Sequence, residues 1–317
     1  MSLAVEARLG TIVVGKNQPH FPNGFLFNDP DHLDSQTDSP LMRLSLQHPL
    51  TGQAMARCAF VVRDGVGYSP AAAPFGSIEF GEDVSPDELI CFVDALVEEV
   101  RQAGCQRIRL VNYPNCYAPT QTNRLIYALT ESGFNLVANT PTQYVPVSDA
   151  PLTTRMHPSE RQRLRKAQRA GLVASRWDNP CVETVVKHIQ KGRAQQGYPL
   201  TIQSEYLSRL LRQFSHEFPV FVVRDGDSIA ALCVCVRVRY DILYTFLPVS
   251  HPDYRTLSPM VLLIDHLYQY SQHTGVDLLD LGTSLDSNRE HKPSLAQFKQ
   301  NMGAVESPKL TFELKLM

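Results

Sequence analysis

The hexapeptide FVVRDG occurs twice, from Phe60 to Gly65 and again from Phe221 to Gly226. Each copy is followed by a Ser-Pro pair that opens an apolar helical pattern, Ser85-Pro86 in the first half and Ser258-Pro259 in the second. Each pattern then runs to a glycine and a strand-like stretch, at 102–112 and 272–284. Self-similarity at a spacing near half the chain is the signature of a duplicated unit. Two similar domains in tandem are therefore expected, at 1–150 and 151–317, the first shortened because much of what precedes its FVVRDG stretch reads as loop. The hexapeptide alone admits a second reading, a strand closed by a tight Asp-Gly turn of the kind many unrelated hairpins use.

A chain of 317 residues with 43% hydrophobic residues and a formal charge of -2 has the material for two cores and none of the marks of a disordered or fibrous protein. The N-terminal segment lacks the basic stretch, apolar run and cleavage site of a secretion signal. No apolar run approaches the roughly 20 residues of a membrane span. A cytoplasmic location is expected. The seven cysteines form no CxxC pair and lie at no metal-ligand spacing with the histidines, so no metal site is expected, and Cys233 and Cys235 read as reduced core residues on one strand face.

Residues 17–40, rich in Pro, Asn and Asp, read as a surface loop or arm. Strands around a turn follow to Arg63. Leu89, Phe92, Val93, Leu96, Val97 and Val100 recur at three- and four-residue steps, which predicts an amphipathic helix ended by Gly104. A strand, a second helix ending at Gly133, a last strand at 144–147 and a linker at 147–155 complete the first unit.

The second unit opens on MHPSERQRLRKAQRAG, a helix with Pro158 in its first turn and Gly171 past its end. Arg161, Arg165 and Arg169 recur every four residues, and Glu160 is the helix's single acid. Such a stripe can grip phosphate or carboxylate through guanidinium forks, or can be a solvated charged face. Further on, a strand breaks at SHPDYRTLSP and feeds a helix, with Ser258 placed as N-cap and Pro259 as first residue. Backbone N–H groups at such a helix start suit an anionic ligand.

RLRKAQRAG at 163–171, IAALCVCVRVRYDILYTF at 229–246, LSPMVLLIDHLYQY at 257–270, DLGTS at 280–284, LAQFKQNMGA at 295–304 and SPAAAPFGSIEF at 69–80, in this order, resemble a tandem of GNAT-superfamily acyltransferase domains. The resemblance is to the group holding the peptidoglycan-bridge (Fem-type) aminoacyltransferases and their bacterial relatives. It implies an α/β (α+β) protein of two GNAT-like domains, each a mixed central sheet flanked by helices. It also implies transfer of an acyl or aminoacyl group from an activated ester or thioester to a small-molecule or peptide amine, the donor being acyl-CoA or aminoacyl-tRNA. RTLSP at 255–259 stands where CoA-dependent relatives carry a glycine-rich turn; Arg255 is kept and the glycines are replaced, which moves the expected donor toward aminoacyl-tRNA and makes tRNA a candidate partner.

By the same resemblance, Phe298 and Lys299 match a Phe-Lys pair beside the reacting ester, the lysine to stabilise an oxyanion and the ring to exclude water. Asp280 is a candidate for accepting the proton of the attacking amine. Arg255, Ser258, Ser284, Asn288, Arg161 and Arg165 are candidates for substrate or donor binding. Tyr68 and Phe75 of the first unit are candidates for lining an acceptor groove. GxSxG, HExxH and P-loop motifs are absent from the sequence. The competing reading is a non-catalytic binding protein that keeps the GNAT fold. The sequence leaves oligomeric state open.

Overall fold

The computed structural model describes residues 10–15, 19, 21–195, 197 and 202–316, and the chain divides into two compact units. In chain order the first unit holds β1 (Thr11–Val14), α1 (Pro30–Gln36), β2 (Leu41–Gln47), β3 (Ala54–Arg63), β4 (Val66–Ser69), β5 (Glu79–Phe80), α2 (Pro86–Gln102), β6 (Arg107–Val111), α3 (Pro119–Glu131) and β7 (Asn135–Asn139). The second holds β8 (Thr142–Pro146), α4 (Pro158–Arg169), β9 (Val173–Arg176), α5 (Val182–Gln195), α6 (Ser204–Gln213), β10 (Val220–Asp225), β11 (Ser228–Arg239), β12 (Ile242–Ser250), α7 (Pro259–His273), β13 (Leu278–Thr283), α8 (Pro293–Asn301) and β14 (Val305–Ser307). The final strand, β15 (Leu310–Lys315), belongs to the first unit.

The two sheets run in the orders β1-β2-β3-β4-β6-β15-β7 and β9-β10-β11-β12-β13-β8-β14. Position by position they correspond. In each, four antiparallel strands are followed by one parallel neighbour, β4 with β6 and β12 with β13, reached through a crossover helix. Those helices, α2 and α7, are the two that Ser-Pro opens. Ser85 closes a reciprocal capping box with Glu88, and Leu89, Phe92, Val93, Leu96 and Val100 are buried along the inner stripe of α2.

The architecture is thus the expected tandem of mixed sheets, but the hexapeptide is not its marker. The first FVVRDG lies on β3 and the second on β10, whose counterpart in the first sheet is β2. Even the turns differ: Arg63 pairs with Val66 across Asp64-Gly65, whereas Asp225 pairs with Ser228 across Gly226-Asp227. FVVRDG is a strand-and-turn signal used twice at non-equivalent places.

The units also divide elsewhere than at 150. The first comprises residues up to Thr140 together with Pro308 onward, and the second runs from Pro141 to Ser307. The strand expected to finish the first unit, β8, pairs with β13 and β14 in the second sheet. β15 fills the matching place between β6 and β7. The stretch expected as a linker packs inside the second unit, where Leu152 is buried and the Tyr268 hydroxyl bonds the carbonyls of Ser148 and Ala150.

The segment read as a surface arm is largely interior. Residues 16–18 and 20 lie outside the described residues, but Phe25, Phe27 and Leu33 are buried. The Glu79 carboxylate ties this segment down by accepting bonds from the Phe25 N–H, Asn28 and Arg57.

In the first unit the strand equivalent to β12 is interrupted. β4 pairs with β3 at Val61–Arg63, the chain leaves as residues 70–78, and β5 resumes the same edge at Ala56 and Arg57. The inserted segment fills the place beside the end of β6. The Gly76 N–H bonds the Val111 carbonyl, and the Ser77 N–H bonds Ser69 Oγ. Phe75 is buried among Phe25, Phe27, Tyr113 and Tyr117. This corrects the expectation that Phe75 lines a groove; Tyr68, on β4, is half-buried. Among the described residues no helix is long and apolar enough to cross a membrane.

Candidate functional site

In the second sheet β12 and β13 run parallel for only three pairs, Ile242 with Leu278, Leu243 with Leu279 and Tyr244 with Asp280. Beyond them β12 continues along β11 to Ser250, while β13 turns away through an irregularity between Asp280 and Thr283. The bend rests on Gly282, whose φ of +74° favours glycine and where a Cβ would stand 3.1 Å from the Tyr244 ring. The gap between the diverging strands opens a cavity of about 580 Å³.

The Asp280 side chain holds the bend together. Buried at 2% exposure, it accepts hydrogen bonds from the Gly282 N–H at 2.6 Å and Thr142 Oγ1 at 2.7 Å. Its backbone carbonyl accepts from Thr245 Oγ1. The carboxylate stands behind the cavity wall and is not one of the groups lining it.

The carbonyls of Gly282 and Thr283, at the bend, both accept from Lys299 Nζ at 2.8 Å. Lys299 is a buried residue of α8 at 6% exposure, sharing the inner face of the helix with Ala296. Burial holds its amine well below the ordinary lysine value, at about 8, and the nearby Asp280 charge pulls the other way. An ammonium has three donors, and two are committed here. Phe298, the residue before it, is half-buried and lines the same cavity.

α8 is braced by Gln143 of β8, which donates to the Ala296 carbonyl at 3.1 Å and accepts from Ser284 Oγ at 2.5 Å. Ser284 is therefore a buried brace whose hydroxyl is spent on Gln143, not a group presented to a ligand. Tyr244 and Phe246 of β12 line the cavity with their rings 5.9 Å apart, and burial raises the Tyr244 phenol above its ordinary range.

Arg255 lines the cavity from the 3-10 turn at Pro252–Leu257. Ser258 follows it with φ 54° and ψ 50°, and its side chain makes no capping bond. Ser258 thus holds the expected N-cap position ahead of Pro259, but without a side-chain cap and in the left-handed conformation a glycine would take easily. Two cations unforeseen in the sequence, Arg193 and Lys292, also line the cavity. Arg193 is brought there by close packing of α5 on β12, since a Cβ on Gly192 would stand 2.8 Å from Val249 Cβ. A glycine inside a helical pattern was the readable trace of that approach. Among the described residues, the four charged ones in the lining are all cationic, Arg193, Arg255, Lys292 and Lys299.

The remaining candidates lie outside the wall. Asn288 is exposed in the loop before α8, its N–H bonded to Asp286. Arg161 and Arg165 lie on α4 and do not line the cavity; Arg161 donates to the Thr153 carbonyl, and Arg165 to the carbonyl of Arg161.

Residues 158–293 match the family model of an acetyltransferase (GNAT) domain. Among solved structures, the chain is similar to FemX over 93% of both chains, with a TM-score of 0.71 at 14% identity. L-PGS from Bacillus licheniformis aligns over 92% of this chain and 93% of its own, with a TM-score of 0.58 at 12% identity. A conserved protein of unknown function from Bacteroides thetaiotaomicron aligns over 90% and 89%, with a TM-score of 0.60 at 10% identity. At these identities the likeness is one of fold. No curated protein matches the sequence.

Proposed function

We propose that this chain, whose residues 158–293 match a GNAT acetyltransferase domain and whose fold is a tandem of two GNAT-like units, is an acyltransferase with its donor site in the second unit. The reaction moves an acyl or aminoacyl group from a thioester or ester to an amine. The observation that carries this reading is the buried Lys299 amine, fixed by two carbonyls at the end of a split sheet and facing a cavity lined by Phe298, Tyr244 and Phe246.

With an amine value of about 8, Lys299 is mainly an ammonium at neutral pH. Its uncommitted N–H is placed for the oxygen of a carbonyl entering the cavity, where charge develops when the amine attacks. The aromatic walls keep water from competing for the ester. Among the described residues no carboxylate lines the cavity, and on this reading the amine attacks in its neutral form. As the tetrahedral adduct collapses, the carbon–oxygen or carbon–sulfur bond to the carrier breaks, and the proton from nitrogen passes to the leaving atom. Asp280 acts one layer back, holding the bend that aims the two carbonyls at Lys299.

The all-cationic set of charged lining residues suits a donor whose carrier bears phosphate, and acyl-CoA and aminoacyl-tRNA both answer that description. The first unit, with residues 70–78 occupying the equivalent place, is not proposed to hold a donor.

The test is transfer from each donor class to a panel of amines. Lys299→Ala is expected to lower turnover by about 10²-fold, as loss of one oxyanion donor does, with binding of the donor kept. Lys299→Arg, which keeps the charge, is expected to lie between the two. Equal turnover by all three proteins would remove Lys299 from the chemistry, and donor binding with no transfer to any amine would favour a binding protein.

A further inference from the structure

The geometry around Lys299 gives its amine a second chemistry. The side chain is almost wholly buried, and Nζ stands 2.8 Å from each of two carbonyls, those of Gly282 and Thr283. An ammonium has three N–H groups, and two are held here. When the amine loses a proton, its two remaining N–H groups still satisfy both carbonyls, and the lone pair takes the third direction, toward the cavity that Lys299 lines. Deprotonation therefore breaks no hydrogen bond to the protein and removes a buried charge. It also turns a hydrogen-bond donor into a nucleophile.

The surroundings set where this happens. Burial disfavours the ammonium, and Asp280, behind the wall on β13, favours it; burial wins and holds the amine at about 8. Among the described residues, the other charged groups of the lining are Arg193 from α5, Arg255 from the turn at Pro252–Leu257 and Lys292 at the start of α8, and none brings a negative charge. Tyr244 of β12, its phenol raised by burial, stays neutral through this range, and Gln143 of β8, which braces α8, is uncharged. At pH 8 about half the molecules thus present a neutral amine to the cavity, against roughly 0.4% for a lysine side chain in water.

We infer that Lys299 is a self-acylation site: without an acceptor, its amine takes the acyl group from a donor bound in the cavity. This rests on the acyl-transfer reading of the cavity and holds for either carrier. Nζ adds to the carbonyl carbon, the carbon–sulfur or carbon–oxygen bond breaks, and one Nζ proton goes to the leaving sulfur or oxygen. The product is a secondary amide with a single N–H, which can satisfy only one of the two carbonyls, and its acyl chain occupies the cavity. An amide is not an activated ester, so the group is not passed on. The acceptor amine competes for the same carbon, and the modification acts as a brake when acceptor runs out.

The experiment treats the whole protein with phenyl thioacetate, a small uncharged thioester that needs no carrier site, across a pH series, and reads acetylation at each lysine by peptide mass spectrometry. At pH 8 Lys299 is expected to be acetylated about 10–100-fold faster than the exposed Lys187, Lys191 and Lys315. Its rate is expected to rise through pH 8 and to level off above about 9. Transfer to amines is expected to fall in proportion to the fraction modified. An unmodified Lys299, or one modified no faster than the exposed lysines, overturns the inference, whether or not the protein transfers acyl groups. Acetylated Lys299 in a protein that transfers to no amine upholds the site and overturns the transferase reading. Full acetylation with undiminished transfer overturns the brake and removes Lys299 from the transfer reaction.

Discussion

Lys299 has a titration consequence independent of any substrate. Burial lowers its amine from 10.5 to about 8, and Asp280 offsets only part of that cost. Between those values the unfolded chain binds a proton that the folded chain lacks, so folding is favoured progressively as pH rises through the interval. Below about 8 both states are protonated and the full cost, roughly 3 kcal/mol, is present. Relative to Lys299→Met, which cannot titrate, the wild-type protein is expected to be least stable below pH 8 and to gain steadily toward 10.5. Paired urea titrations of the two proteins across that range check it. A stability difference flat with pH would mean that the amine is solvated and is not held as described. Asp280 and Gly282 belong to the same small assembly. One supplies the carboxylate that satisfies the bend, and the other the positive φ and the missing Cβ that allow it.

The two crossover helices were legible because their signals are local. Ser85 and Glu88 spell a capping box, and the apolar residues of α2 keep helical spacing. What could not be read was the fate of the stretch between β4 and β5. SPAAAPFGSIEF has the composition of a strand end and a loop, and only the assembled sheet shows that it interrupts one strand and packs beside β6. The position of Phe75 follows from that. Its ring meets Phe25, Phe27 and Tyr117 edge-on with centroids 5.5, 5.1 and 5.7 Å away. Phe75→Ala is expected to cost about 3–5 kcal/mol of stability by leaving a cavity among these rings. Guanidinium denaturation measures the cost, and transfer per folded molecule is expected to stay near wild type. Lost transfer with undiminished stability would restore Phe75 to the acceptor groove.

At the scale of the whole chain, the sequence led to the right architecture by an unreliable sign. FVVRDG marks non-equivalent strands, while the true correspondence lies in the order of pairing, which no short peptide encodes. Phe298, Lys299 and Arg255 were found through resemblance, whereas Arg193, Lys292 and Tyr244 meet them only once α5, α8 and β12 are packed. The least legible feature was the exchange of strands. β8 and β15 are short, and nothing in their local pattern names the sheet they join, because a strand's partner is a non-local choice. Cutting the chain has a definite consequence. A fragment of residues 151–317 lacks β8, leaving β13 and β14 without their shared neighbour, and carries β15 with no sheet to enter. A fragment of residues 1–150 lacks β15 and separates β6 from β7. Residues 141–307 contain every strand of the second sheet and the whole cavity lining. That fragment is expected to be soluble and to unfold in one cooperative transition, while 151–317 and 1–150 are expected to aggregate or show no transition. Circular dichroism melts of the three fragments decide it. A cooperative transition in 151–317 would show that β8 is dispensable and that the second unit begins where the sequence alone placed it.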